Sequence, residues 1–331
     1  MKRTGFLIEK IIEPENMRLA FWKAQKGKQH RPEVVEFRSQ LQDNLSQLAF
    51  DIEAGTYELG DYHYFTIHDP KKRCICAASF RERVLHHAVM NVCDPVFEKY
   101  QIFDSYACRR EKGTYAALNR ARDFSRRYSF FMKLDVRKYF DSVSHKILMK
   151  GLIRLFKDQR LLNLFNAIIG SYETREGCGI PIGNLTSQYF ANQFLAPLDH
   201  FIKEKMKIRG YVRYMDDMVL WSNNQDQLKT AHQHLADKLS GEYDLELKNL
   251  IINTVKSGLP FLGYTVYTSV MKLSSKSKIR FRKKMKRAYF HLIEGNWDQQ
   301  IFQRHVSSIV AFAEHAESLD FRKKVQSQFG Y

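Results

Sequence analysis

Tyr211-Val212-Arg213-Tyr214-Met215-Asp216-Asp217-Met218-Val219-Leu220-Trp221 is the stretch that decides how this chain reads. Two short apolar strands, Tyr211–Tyr214 and Met218–Trp221, flank the tight turn Met215-Asp216-Asp217. Two adjacent carboxylates therefore stand at a hairpin tip and project to different sides of the strand. On a solvent-facing turn an Asp-Asp pair is commonplace. Between strands of buried composition it carries a large desolvation cost unless a positive charge offsets it, and a divalent metal would do so.

Upstream, Phe130–Val136 reads as a short strand with apolar residues on both faces, as in the middle of a sheet, and Asp135 stands near its end. A carboxylate at the mouth of a buried strand is a candidate ligand for a hard cation. Two-metal phosphoryl transfer needs several such oxygens around ions about 3.5–4 Å apart. One strand-end Asp and one hairpin Asp form the smallest bridge for such a pair, and spacing along the chain does not by itself bring Asp135 and Asp216 together.

Around these strands the pattern is mostly helical. Apolar residues recur at helical spacing over 34–54, ended by Gly55. Tyr62–Ile67 and Arg73–Ala78 read as a hairpin tipped by His68-Asp69-Pro70-Lys71-Lys72. Arg83–Tyr100 reads as a helix broken near Pro95, followed by a basic helix at Tyr115–Arg127, a helical stretch at Ile147–Ile169, a glycine-rich loop at Gly170–Gly183 and a long helix at Leu185–Lys207. Gln227–Leu239 is another helix, Phe261–Tyr267 and Val270–Leu273 are strands, and from Ile279 the chain is helical. The fold class is α+β, a few antiparallel strands among many helices. There is no βαβα alternation, and Gly27-Lys28-Gln29 does not resemble a phosphate-binding loop.

Composition is globular, with 44% apolar and 27% charged residues. The 53 Lys+Arg against 36 Asp+Glu leave a net charge of +17, which points to a polyanionic partner, nucleic acid or an anionic membrane surface. The basic residues are spread along the chain, as a groove built by the fold requires. No run approaches the roughly 18 apolar residues of a membrane span, and no signal peptide is read at Met1–Ile12. The five cysteines, Cys74, Cys76, Cys93, Cys108 and Cys178, are scattered and odd in number, as for reduced thiols in a cytoplasmic compartment. The twelve histidines show no metal-site spacing.

At this point the chain resembles reverse transcriptases. Tyr214-Met215-Asp216-Asp217 is similar to their Y-x-D-D box, Leu134-Asp135 through Phe140-Asp141 to their first catalytic motif, Ile180–Gln188 to their Gly-x-x-x-Ser motif, and Pro260-Phe261-Leu262-Gly263-Tyr264 to their primer grip. Arg81-Glu82-Arg83 and Ser105–Arg109 resemble finger motifs of the bacterial branch. The boxes occur in the family's order, from about Tyr62 to Tyr267.

The resemblance implies a right-hand polymerase fold: fingers 1–88 and 144–186, palm 89–143 and 187–272, thumb 273–331. It implies an RNA-directed DNA polymerase working through two Mg²⁺ ions, with Mn²⁺ able to substitute. Asp135, Asp216 and Asp217 become the catalytic carboxylates, Asp135 and Asp216 the first metal ligands, and the Val136 backbone a further donor. Phe140 takes the place of the aromatic that blocks a 2′-hydroxyl. Lys72, Arg73 and Arg81 become candidates for the triphosphate, and Ile182, Gly183 and Gln188 line the incoming nucleotide, Gly183 allowing close backbone approach. Phe261, Leu262, Gly263 and Tyr264 form the primer grip. Lys278, Arg280, Arg282, Lys283, Lys284, Lys286 and Arg287 open a basic helix suited to lie along phosphates as a thumb, although a membrane-surface helix has the same look. Lys248 and Lys256 compete for the position of the general acid toward pyrophosphate.

Two features suggest a branch. Many reverse transcriptases have Gln before the motif glycine and Pro after its serine, where this chain has Ile182 and Gln188. That pattern resembles the reverse transcriptases of diversity-generating retroelements, phage or bacterial enzymes that misincorporate opposite template adenines in mutagenic retrohoming. The implied partners are template RNA and the RNA/DNA hybrid, dNTPs, and a small basic oligomeric accessory protein. The alternatives are a retron or group II intron type, a catalytically silent nucleic-acid-binding relative, against which the three aspartates speak, and an RNA-dependent RNA polymerase, against which Phe140 speaks.

Overall fold

In the computed structural model, which describes residues 2–68, 72–248 and 250–329, the strand carrying Asp135 is the inner strand its two apolar faces lead one to expect. In chain order the elements are α1 (Ile8–Ile12), α2 (Pro14–Gln25), α3 (Pro32–Ser39), α4 (Leu41–Ala54), β1 (Tyr62–Ile67), β2 (Arg73–Ala78), α5 (Phe80–Tyr100), α6 (Thr114–Arg127), β3 (Phe130–Asp135), α7 (His145–Leu155), α8 (Gln159–Gly170), α9 (Leu185–His200), β4 (Gly210–Tyr214), β5 (Asp217–Ser222), α10 (Gln225–Tyr243), β6 (Ile251–Thr254), β7 (Leu259–Phe261), β8 (Tyr264–Val266), β9 (Met271–Leu273), α11 (Ser275–Ile293), α12 (Gln299–Glu314) and α13 (Leu319–Gln326). They fall into two compact units: Met1–Phe103, Val136–Lys205 and His234–Lys248 form one, and Asp104–Asp135, Met206–Gln233 and Asn249–Tyr331 form the other.

The first unit is helical around the β1–β2 hairpin, whose register runs from Tyr62↔Ala78 to Ile67↔Arg73. Residues 69–71 of its tip lie outside the described residues. α5 is one continuous helix, not a helix broken at Pro95. It starts early because the Ser79 hydroxyl accepts from the Glu82 backbone N–H. Pro95 removes one backbone bond near the end, and the buried face Val84, Leu85, Ala88, Val89, Cys93 and Phe97 holds the helix through that loss. Phe21, Phe37 and Phe80 pack with ring centroids 5.2–6.0 Å apart, and Phe97, Phe156, Phe165 and Phe190 make a second aromatic chain.

Other helices are shorter than the periodicity suggests. The 34–54 stretch divides at Gln40, and 147–169 divides at Phe156–Asp158, where the Asp158 carboxylate caps α8 and also accepts from the Leu7 N–H. The helix expected to reach Lys207 ends at His200 and continues as a π-helical turn through Lys205.

The second unit holds an antiparallel sheet of order β4-β5-β3-β6 and a smaller one of order β7-β8-β9. The stretch expected as one strand, Phe261–Tyr267, is a hairpin. Phe261 pairs with Tyr264 across Leu262-Gly263, and both turn residues have positive φ (47° and 91°), the signature of a type I′ turn. Its core joins Phe124, Phe131, Val212, Val219 and Trp221 to Phe261, Tyr264, Val266 and the inner faces of α11–α13.

Candidate active site

Register brings the carboxylates of the second unit together. β3 and β5 pair so that Asp135 faces Asp217 and Lys133 faces Val219. Residues opposite each other in an antiparallel pair share a face, as do alternate residues of one strand. Asp135, Asp217 and Lys133 therefore project from the same side of the sheet.

β4 and β5 close with the pair Tyr214↔Asp217, leaving Met215 and Asp216 as a two-residue loop. Met215 has φ +54°, a left-handed conformation that costs a non-glycine residue about 1–2 kcal/mol. Arg213 helps hold it. Its side chain is completely buried, and Nη1 donates to the Met215 carbonyl at 3.2 Å. The Arg213 backbone is pinned on both sides, its N–H donating to the Asp104 carbonyl and its own carbonyl accepting from the Tyr106 N–H, each at 2.9 Å. Buried Asp104 in turn accepts from Arg120 Nε at 2.8 Å. The Tyr214 hydroxyl accepts from Thr114 at the start of α6.

The Asp216 carboxyl is pushed up to about 7, first by burial and then by the charge of Asp135, whose carboxyl lies within hydrogen-bonding reach. Two half-buried carboxyls this close are the donor set a divalent cation favours. Asp217 is in a different position: its Oδ1 lies 3.1 Å from Lys133 Nζ. Among the described residues, no three His, Cys, Asp or Glu side chains are arranged to hold a metal by themselves. The protein groups that fit a cation are thus the Asp135–Asp216 pair, with Asp217 held beside it.

The expected primer-grip residues lie in the same unit. Phe261 and Tyr264 are buried, and the Tyr264 hydroxyl donates to the Phe312 carbonyl at 2.6 Å. The Gly263 carbonyl accepts from the Ser274 N–H and the Ser277 hydroxyl, tying the turn to the start of α11. On α11, Arg282, Lys283, Lys284, Lys286 and Arg287 are exposed, while Phe281, Met285 and Tyr289 are buried. Lys278 and Arg282 lie over the Phe321 ring, and Arg280 is half-buried.

The remaining candidates lie in the first unit. Val136 is buried and bridges Leu247. Lys248 follows that bridge, whereas Lys256, in the second unit, is exposed on a 3-10 turn. Phe140 is half-buried and its carbonyl accepts from the Ile180 N–H. The Ile182 carbonyl accepts from the Cys76 N–H at 2.8 Å, so the motif loop is stitched to β2. Gly183 has φ +122°, and a Cβ there would stand 2.8 Å from Ile75 Cγ2 and 3.2 Å from the Cys76 carbonyl. What approaches closely at this glycine is the β2 strand. Gln188 is half-buried on α9.

Lys72 and Arg73 are exposed at the β1–β2 hairpin. Arg81 is not aimed at solvent: it pairs with Asp51 of α4. Its neighbour Glu82, whose carboxyl burial holds above the usual range, accepts from the Gly60 N–H and the Tyr62 hydroxyl and so anchors the base of the hairpin. Lys133, Arg213 and Asp104 were not singled out from sequence. The available signal was a cation inside an apolar strand, Lys133 in β3 and Arg213 in β4, each beside a catalytic candidate.

Residues 67–266, more than half of the chain, match the reverse transcriptase (RNA-dependent DNA polymerase) family, and the chain belongs to that family. It is similar to Protein YkfC of Escherichia coli (strain K12), 25% identical over 239 residues covering 59% of this chain and 63% of that protein. It is also similar to the Retron Ec83 reverse transcriptase of Escherichia coli, 22% identical over 212 residues covering 61% of this chain and 66% of that protein. The putative COX1/OXI3 intron 1 protein of Saccharomyces cerevisiae is 21% identical over 173 residues, and there the match spans only 21% of the longer protein. In fold the chain is similar to the apo telomerase of Candida tropicalis, with a TM-score of 0.52, 12% identity, and coverage of 86% of this chain and 63% of that one. The fold is that of a right-hand polymerase. Among the described residues no helix is long and apolar enough to cross a membrane.

Proposed function

We propose that the chain is an RNA-directed DNA polymerase that extends a primer on template RNA with dNTPs, in the finger, palm and thumb arrangement of its family. The observation that carries this is the half-buried Asp135–Asp216 carboxyl pair, within hydrogen-bonding reach of each other at the strand ends of the palm sheet. Divalent ions, Mg²⁺ first, supply activation of the primer 3′-hydroxyl and neutralisation of the triphosphate and its leaving group. Asp135 and Asp216 would hold them, the Val136 backbone adding a donor, while the paired strands β3, β4 and β5 fix where both carboxyls stand. Lys72 and Arg73 take the triphosphate charge from the finger hairpin. Arg81 has Asp51 as its partner and ties the start of α5 to α4 instead. Phe140 excludes a 2′-hydroxyl, the Phe261–Tyr264 turn holds the primer strand, and the exposed cations of α11 follow the phosphates of the hybrid. Lys248 is the better of the two lysines for protonating pyrophosphate, because Leu247 before it pairs with Val136, next to Asp135 in sequence.

Within this reading we place the enzyme in the adenine-mutagenic, diversity-generating branch, with a small basic accessory protein as partner. The support is Ile182 and Gln188 in the Gly-x-x-x-Ser motif. A branched apolar side chain at 182 offers no hydrogen bond to hold a nucleotide in register, where an amide would. A retron-type enzyme is the second reading, favoured by the similarity to the Ec83 protein.

Primer extension on an RNA template with Mg²⁺ and dNTPs, beside Asp216→Ala, tests both levels. Extension lost in the variant, with errors concentrated at template adenines and reduced by Ile182→Gln, is the expected result. An even error spectrum removes the mutagenic branch, and no extension with cognate RNA and accessory protein supplied removes the polymerase.

A further inference from the structure

Lys133 is a cation on the carboxylate face for which the resemblance supplies no role. It sits two residues before Asp135 in β3, on the same side of the strand. Asp217 is directly opposite Asp135, so Lys133 and Asp217 are diagonal neighbours, a separation a long side chain spans. Lys133 Nζ lies 3.1 Å from Asp217 Oδ1 and donates to the Pro260 carbonyl at 3.0 Å, with the Phe261 ring centroid 5.9 Å away. Its side chain is only 19% exposed. The ammonium therefore touches both the catalytic turn and the first strand of the 259–266 hairpin.

Two physical needs meet there. Like charges directly opposite on paired strands repel, and Asp135 opposite Asp217 is such a pair; the Lys133 ammonium offsets it. Pro260 and Phe261 also begin the segment proposed to hold the primer. A compact ammonium on a flexible stem can donate to a carbonyl on one element while its charge stays beside a carboxylate on another, which a planar guanidinium does less readily.

We propose that Lys133 is a positioning residue: by bridging the Asp217 carboxylate to the Pro260 carbonyl it fixes the distance between the catalytic turn and the primer-holding hairpin. Asp217 accordingly acts chiefly as the anchor of this bridge, leaving Asp135 and Asp216 to the metal ions. The inference rests on the polymerase reading above.

The test uses the full chain with Lys133→Met, which keeps the stem and removes the ammonium, Lys133→Arg, Asp217→Asn, and the double variant Lys133→Met/Asp217→Asn. Extension rate, dNTP KM and thermal melting are measured for each. A misplaced primer end costs about 10²-fold in rate, so Lys133→Met is expected to lose kcat on that scale while its dNTP KM stays within about twofold. Lys133→Arg recovers part of the loss. The double variant falls no further than the worse single one, because both break the same bridge. Unchanged kcat in Lys133→Met, no recovery with arginine, or losses that multiply in the double variant would overturn the proposal. If the wild-type chain fails to extend any primer, the polymerase reading fails on its own. The bridge is then judged by melting alone, where additive shifts of the two single variants overturn it and non-additive shifts uphold it.

Discussion

Replacing Gly183 by alanine perturbs one atom and meets two separate costs. The backbone at φ +122° is open to glycine and strained for any L-residue, by about 1–3 kcal/mol. The new methyl would stand 2.8 Å from Ile75 Cγ2 and 3.2 Å from the Cys76 carbonyl. Ile75 can turn away, but the Cys76 carbonyl belongs to β2, whose N–H is bonded to the Ile182 carbonyl. Overpacking of this kind adds about 1–3 kcal/mol. Together the terms give roughly 2–5 kcal/mol, or a fall in Tm of about 5–15 °C for a unit of this size. Differential scanning fluorimetry of the full chain reads it. Ile75→Ala in the Gly183→Ala background removes the contact that Ile75 can already relieve and leaves both the Cys76 carbonyl contact and the φ strain, so only a minor part of the loss should return. A Gly183→Ala protein melting within a degree of wild type would refute the reasoning, and so would full recovery with Ile75→Ala, which would show that backbone strain contributes nothing.

Arg213→Met deletes a charged donor from a fully buried position and frees the Met215 carbonyl; a loss of about 2–3 kcal/mol in denaturant unfolding is expected, with extension rate falling more steeply than stability as the left-handed turn loses its support. His86, completely buried and held down to about 3 chiefly by burial, must stay neutral in the folded state. Its contribution is present above the unfolded value near pH 6.5 and is lost as pH falls from there toward 3, so His86→Gln should flatten the acid limb of a Tm-against-pH curve; an unchanged limb would exclude His86 as its source. Phe140→Ala should raise ribonucleotide incorporation relative to dNTPs in single-nucleotide extension while leaving Tm within a few degrees; unaltered sugar discrimination would remove Phe140 from that role.

The parts legible in sequence were those specified by neighbours along the chain. Alternation and a Pro-Lys-Lys tip outline β1 and β2, and apolar residues on both faces mark β3 as an inner strand. The misread parts have non-local causes. Apolar spacing runs across Gln40 without showing the break, and Pro95 is overruled by the buried face of α5. Phe261-Leu262-Gly263-Tyr264 looks like continuous strand because Leu262 gives no hint of its positive φ. In the site, the aspartates announce themselves by type and position, whereas their partners depend on register. Lys133 meets Asp217 only because Asp135 is paired with Asp217, and Arg213 reaches the Met215 carbonyl only once the hairpin has closed.

The inner place of β3 has a consequence for the chain as it is made. Its two neighbours arrive late: β5 ends at Ser222, and β6 at Thr254. At 5–20 residues per second, the ribosome needs about 6–24 s to pass from Asp135 to Thr254. Through that interval Phe130–Leu134 is an apolar strand with at least one unpaired edge, the kind of template on which nascent chains associate. The strand that seats Asp135 is therefore a segment that gains from chaperone cover during synthesis, and slow codons placed between Ser222 and Thr254 would lengthen its exposure.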